Sequence, residues 1–147
     1  MKHTLRLAAL VTLFASPLPA LAAPIPAVMY KNPTCSCCET YAAYLEQNGF
    51  KVELKPTNDL SQISQKLGVP EELEGCHTIL MGNGMYVVAG FVPVDVVNKM
   101  LTEKPNVTGI SLPGMPNGSP GMGGVKTESF TIYAFTRGKA PSVYAVE

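Results

Sequence analysis

Hydrophobic and polar positions follow several different periods along this chain. Ala27 to Tyr30 is an unbroken apolar run followed by Pro33, which cannot donate to a sheet ladder, so it predicts a short buried strand. From Glu39 to Gln47, Tyr41, Ala42, Tyr44 and Leu45 recur at helical spacing, and Asn48-Gly49 supplies the stop. Phe50, Val52 and Leu54 then alternate with Lys51, Glu53 and Lys55, the pattern of a half-buried strand, which Pro56 closes. Asp59 suits the N-cap of a second helix with Leu60, Ile63 and Leu67 on one face and Gly68 past its end. Val69-Pro70 opens a loop leading to Gly75-Cys76-His77. Thr78 to Met81 and Met85 to Ala89 predict two strands about the hairpin signal Gly82-Asn83-Gly84, with Met81 and Met85 in the core. Pro93 suits the first position of a third helix, Val94 to Leu101.

The resulting order over residues 27–103 is β-α-β-α-β-β-α, with one parallel pair, one hairpin and flanking helices. It predicts an α/β domain of thioredoxin-like type. Beyond it, Ser111 to Gly124 holds five glycines and three prolines together with Met115 and Met122, and predicts an irregular loop throughout. Phe130, Ile132 and Ala134 alternate with Ser129 and Thr131, Arg137-Gly138-Lys139 turns, and Val143 to Val146 is apolar. This predicts a C-terminal β-hairpin that adds strands to the domain.

The first 22 residues read as a leader. Lys2 and Arg6 precede the apolar run Leu7 to Ala15, and Ala20-Leu21-Ala22 is an A-x-A cleavage site, the pattern of a secretory signal peptide. The run is far short of the roughly 20 residues a spanning helix needs, so stable membrane insertion after cleavage is not expected. Residues 23–147 form the expected mature domain. Without Lys2 and Arg6 the charge is −2, which argues against nucleic acid as a partner.

Three of the four cysteines, Cys35, Cys37 and Cys38, crowd into one turn at the start of the first predicted helix. Helix N-termini favour negative charge, so these thiols should ionise readily. Two purely structural disulfides fit this spacing badly, because pairs within the turn close no long loop. Cys35 and Cys38 have the C-x-x-C spacing of redox sites, with Cys35 the attacking and Cys38 the resolving thiol. Cys37 is surplus to that chemistry but adds a soft ligand. In a thioredoxin-like layout the loop holding Cys76, and with it His77, packs on the turn. Three compact sulfurs plus a distant one suit bridging of several Cu(I) ions better than the two-knuckle zinc pattern. His77 is a candidate imidazole ligand, weighed evenly against a merely hydrogen-bonded histidine. Met115 and Met122 are candidate thioether ligands, although anchoring a loop is the commoner use of methionine.

Four blocks carry a family resemblance: Tyr30-Lys31-Asn32-Pro33-Thr34-Cys35-Ser36-Cys37-Cys38, Gly75-Cys76-His77-Thr78, Val88-Ala89-Gly90-Phe91-Val92-Pro93, and Pro113 to Met122, read P-G-M-P-N-G-S-P-G-M. Together they resemble the CopG-type family of exported bacterial metal-binding proteins linked to copper resistance. The resemblance implies a thioredoxin-like fold and copper bound by Cys35, Cys37, Cys38 and Cys76 as a sulfur-bridged multinuclear centre. It also implies a periplasmic location and other envelope copper-handling proteins as partners. Two departures stand out: the family commonly has histidine at the place of Phe91, and often tryptophan near Tyr41. The first block also resembles arsenate reductases, but residues 23–147 hold a single arginine, Arg137, too few to compensate an oxyanion. The expected function is copper binding; the alternative is a thiol–disulfide oxidoreductase acting through Cys35 and Cys38.

Overall fold

A computed structural model describes residues 22–147; the leader pattern over residues 1–21 lies outside them. Strand β1 (Ile25–Lys31) is followed by helix α1 (Ser36–Gln47), strand β2 (Phe50–Pro56) and helix α2 (Leu60–Lys66). After a short 3-10 turn at Glu71–Leu73 come strands β3 (His77–Met81) and β4 (Tyr86–Gly90) and helix α3 (Val94–Glu103). Strands β5 (Gly109–Leu112), β6 (Thr131–Phe135) and β7 (Ser142–Val146) complete the chain. One seven-stranded sheet results, in the order β2-β1-β3-β4-β5-β6-β7. The predicted β-α-β-α-β-β-α order and the C-terminal hairpin are present.

The sheet is mixed for a simple reason. Strands linked through a helix, β1 to β2 and β4 to β5, lie parallel, whereas tight turns make β3–β4 and β6–β7 antiparallel. The second parallel pair corrects the expectation of one. Ser111 and Leu112 belong to β5 and not to the irregular loop; all four residues of that strand are buried, so it shows no alternation. Met81 is in the core as predicted, but Met85 is 56% exposed in the turn before β4, where its side chain is off the sheet. Gly109 fits here because a Cβ would lie 1.9 Å from the Val87 carbonyl oxygen of the neighbouring strand.

Both faces of the sheet are covered. Ala27 and Met29 of β1, Ile79 and Met81 of β3, and Val88 of β4 pack with Tyr41, Ala42 and Leu45 of α1 and Val96, Val97 and Met100 of α3. On the opposite face Val87, Ala89 and Phe135 pack with Val69 and Leu73. Ser64 of α2 meets Thr78 of β3 there through a 2.7 Å hydroxyl–hydroxyl hydrogen bond. Among the described residues no helix is long and apolar enough to cross a membrane.

The antiparallel pairing of β1 with β3 places the site. Its register sets Lys31, the last residue of β1, against His77, the first of β3. The turn after β1 and the loop before β3 are therefore neighbours, although Cys35 and Cys76 are 41 positions apart in sequence.

Candidate metal centre

Helix α1 begins three residues earlier than its apolar periodicity suggests, because Cys35 caps it. Its backbone is extended, and its sulfur accepts the Cys38 amide at 3.2 Å. Cys37 and Cys38 then fall in the first turn, where amide groups not yet paired favour negative charge. Asn32 joins this turn to β3: its amide donates to the Cys76 carbonyl at 3.2 Å, and its carbonyl accepts the Cys35 amide at 3.1 Å.

The four sulfurs lie within 4.8 Å of one another. Cys35 and Cys38 form a disulfide, while Cys37 and Cys76 are free. Cys37 Sγ is 3.3 Å from Cys35 Sγ, and Cys76 Sγ is 3.4 and 3.3 Å from Cys35 and Cys38. Because Cys76 is equally near both bonded sulfurs, it sits beside the disulfide and not along its axis. In-line displacement by its thiolate is therefore unfavourable in this geometry. Burial, and then the neighbouring Cys37, push the Cys76 thiol up to about 11, against the opposing pull of its own backbone amide and Lys31.

His77 is fully buried beside the sulfurs. Its Nε2 is 3.0 Å from the Gly90 carbonyl oxygen, which can only accept, so Nε2 carries the proton. Nδ1, unprotonated, lies 3.5 Å from Cys38 Sγ, a disulfide sulfur with no proton to give, and 3.8 Å from Cys76 Sγ, whose thiol can donate to it. Burial pushes the imidazole down to about 4, partly countered by the Gly90 bond, and so keeps it neutral and able to donate electrons to a metal. Tyr41 and Phe91 enclose the ring at centroid distances of 5.1 and 4.8 Å. Gly90 has φ +71°, and a Cβ would lie 2.1 Å from the Leu112 carbonyl oxygen, so no larger residue could present this carbonyl to His77.

The glycine-rich loop closes over the start of α1. Gly121 has φ +85°, and a Cβ there would meet Tyr41 Cβ at 2.8 Å and the Cys37 carbonyl oxygen at 3.0 Å. Met122 is half-buried against the core that includes the cysteines, whereas Met115 is 43% exposed.

Residues 73–122 match a family described as a protein of unknown function, DUF411. Two solved structures, forms 1 and 2 of the copper resistance protein CopG, are each 34% identical to this chain. Each alignment has a TM-score of 0.76 and covers 84% of this chain and 98% of the solved one. The chain belongs to the CopG family. No curated protein sequence matches it.

Phe91 places an edge-on aromatic ring against His77, with a 74° angle between the rings. The structure thus brings together Cys35, Cys37, Cys38, Cys76 and His77 and puts Met122 on the same core, with Met115 on the surface. Lys31, not among the candidates that the motifs single out, is 1% exposed and directed under the cysteine turn. A signal was available: Ala27, Met29 and Lys31 share the inward phase of the strand, so the lysine occupies a core position.

Proposed function

We propose that this chain is an exported copper-binding protein of the bacterial periplasm, released as residues 23–147 by removal of its leader. Reduced, it binds Cu(I) as cargo in a multinuclear centre held by the thiolates of Cys35, Cys37, Cys38 and Cys76. The convergence of four sulfurs from two distant segments carries this reading, since soft thiolates clustered this closely suit cuprous ions. The kinship to copper resistance proteins named CopG supports it. His77 offers its unprotonated Nδ1 as a further nitrogen donor once Cys76 gives up its proton, and Met122 is better placed than Met115 to offer a thioether. Other envelope copper-handling proteins would supply or receive the ions.

The test is anaerobic titration of the reduced mature protein with Cu(I) against a competing chelator, with copper counted by elemental analysis. Several tightly bound ions per chain are expected, and Cys37→Ser should abolish tight binding. One ion or none would overturn the reading.

The Cys35–Cys38 disulfide favours a second reading, a thiol–disulfide oxidoreductase with Cys35 as attacking and Cys38 as resolving thiol. The two are chemically compatible. Closing this disulfide from two thiols releases two electrons, enough to reduce two cupric ions to cuprous. If Cys37→Ser keeps the copper stoichiometry while Cys35→Ser abolishes disulfide reduction, the oxidoreductase reading stands and the metal centre falls.

A further inference from the structure

Lys31 is a charged residue placed where the strand pattern calls for an apolar one. Its side chain is 1% exposed and runs from the end of β1 beneath the turn that carries Cys35. An ammonium has three protons, and three acceptors are in reach: the carbonyl oxygens of Asn32 and Pro33, each at 3.2 Å, and Glu39 Oε1 at 3.1 Å. The Asn32 carbonyl also receives the Cys35 amide, and the Asn32 amide binds the Cys76 carbonyl. One backbone unit thus links both cysteine-bearing segments, and the ammonium holds its carbonyl.

The arrangement is unlike a surface ion pair. Burying an ammonium is costly, so its retention calls for compensation near by. Glu39 is mostly solvent-exposed, which weakens it as the only counter-charge. The ammonium also acts on the sulfurs: its charge favours the ionised form of Cys76, and Cys35 and Cys38 gain ionisable thiols when the disulfide opens. A methionine of similar length would fill the volume without the charge.

We propose that Lys31 is a positioning and charge-balancing residue of the sulfur cluster: its buried ammonium locks the turn joining Cys35 to Cys76 and offsets the negative charge of the reduced, partly filled cluster. This rests on the copper reading for its metal arm but not for its metal-free arm. Taking up the first cuprous ion displaces the four thiol protons, so the cluster goes from neutral to three negative charges, and each further ion removes one. The contribution of Lys31 is therefore greatest for the first ion and fades as the cluster fills. A role confined to holding the fold would weaken every step alike.

The test compares the reduced mature protein with Lys31→Met and Lys31→Gln in stepwise Cu(I) competition titrations. The expected result is a loss of about tenfold or more in affinity for the first ion in both variants, with the last ion changed by less than about threefold. Lys31→Gln, which can still donate to the turn carbonyls, should not restore the first step. Equal losses at every step, or full rescue by glutamine, would overturn the charge-balancing role.

The metal-free arm equilibrates each protein with glutathione redox buffers. The buffers are set at about pH 9, where ordinary thiols ionise: opening the disulfide consumes two glutathione thiols and yields one glutathione disulfide and two protein thiols, whose ionised form the ammonium stabilises. Loss of Lys31 should make the disulfide harder to reduce, by about tenfold in the equilibrium constant, which corresponds to about 30 mV. An unchanged equilibrium would refute the proposal whether or not copper binds. Failure of all the proteins to bind copper, with the shift present, would refute the copper reading alone. Circular dichroism and thermal unfolding of the oxidised proteins exclude misfolded variants from the comparison.

Discussion

Acid should destabilise the metal-free, oxidised protein through His77, by an amount that follows from its burial. In the folded chain the ring lies between Tyr41 and Phe91, faces the sulfurs of Cys38 and Cys76, and accepts a proton only near pH 4. Unfolding exposes it to water, where it takes up a proton below about 6.5. Between those values the unfolded chain binds more protons, so stability present above pH 6.5 falls as the pH drops and levels off below pH 4. The full loss is about 3 kcal/mol, of which about 2 kcal/mol is reached by pH 5. The assay is urea unfolding at pH 7 and pH 5 of the wild-type protein and His77→Gln. His77 is the only histidine in residues 23–147, so carboxylate titration contributes alike to both proteins and cancels in the comparison. The variant should start less stable at pH 7, having lost ring packing, but lose about 2 kcal/mol less on acidification. The same loss in both proteins would show that the imidazole is protonated in the fold, and the assignment of Nδ1 as an unprotonated donor would fail with it.

Two further predictions test the surroundings of the cluster. In the oxidised protein, alkylation of Cys76 should be slow at neutral pH and rise steeply towards pH 11; Cys37→Ser, by removing a neighbour that raises the Cys76 pKa, should move that rise to lower pH, as followed by mass spectrometry of the labelled peptide. Gly121→Ala should cost about 1–3 kcal/mol in urea unfolding, because its backbone is left-handed and the added methyl meets the α1 backbone, and hydrogen exchange should show residues 116–123 losing protection; an unperturbed loop would contradict the contact.

Where a feature depends on near neighbours in the chain, it was legible. The helical period after Glu39, the alternation from Phe50, the Gly82-Asn83-Gly84 turn and the proline at the start of α3 each act within a few residues, and the structure follows them. The placement of three cysteines at a helix start was legible for the same reason. Strand β5 was not, since four residues buried on both faces carry no period, and they become a strand only because β4 and β6 flank them. Met85 was misplaced because an apolar residue beside a hairpin turn looks the same whether it starts the strand or ends the turn. Cys76 reached the cluster only in the thioredoxin-like layout, since nothing local to it points to Cys35.

By itself, then, the sequence determined the elements, the sulfur-rich cap of α1 and the family resemblance. Tertiary structure decided what surrounds the sulfurs. The β1–β3 register set Lys31 and Asn32 against the start of β3, carried Cys76 to 3.4 Å from Cys35, and left the His77 ring neutral with one nitrogen committed to Gly90 and the other facing sulfur. Local sequence governs backbone conformation over a few residues. Burial, charge balance and the meeting of distant thiols arise only when strands remote in sequence pair, and that pairing is a property of the whole sheet.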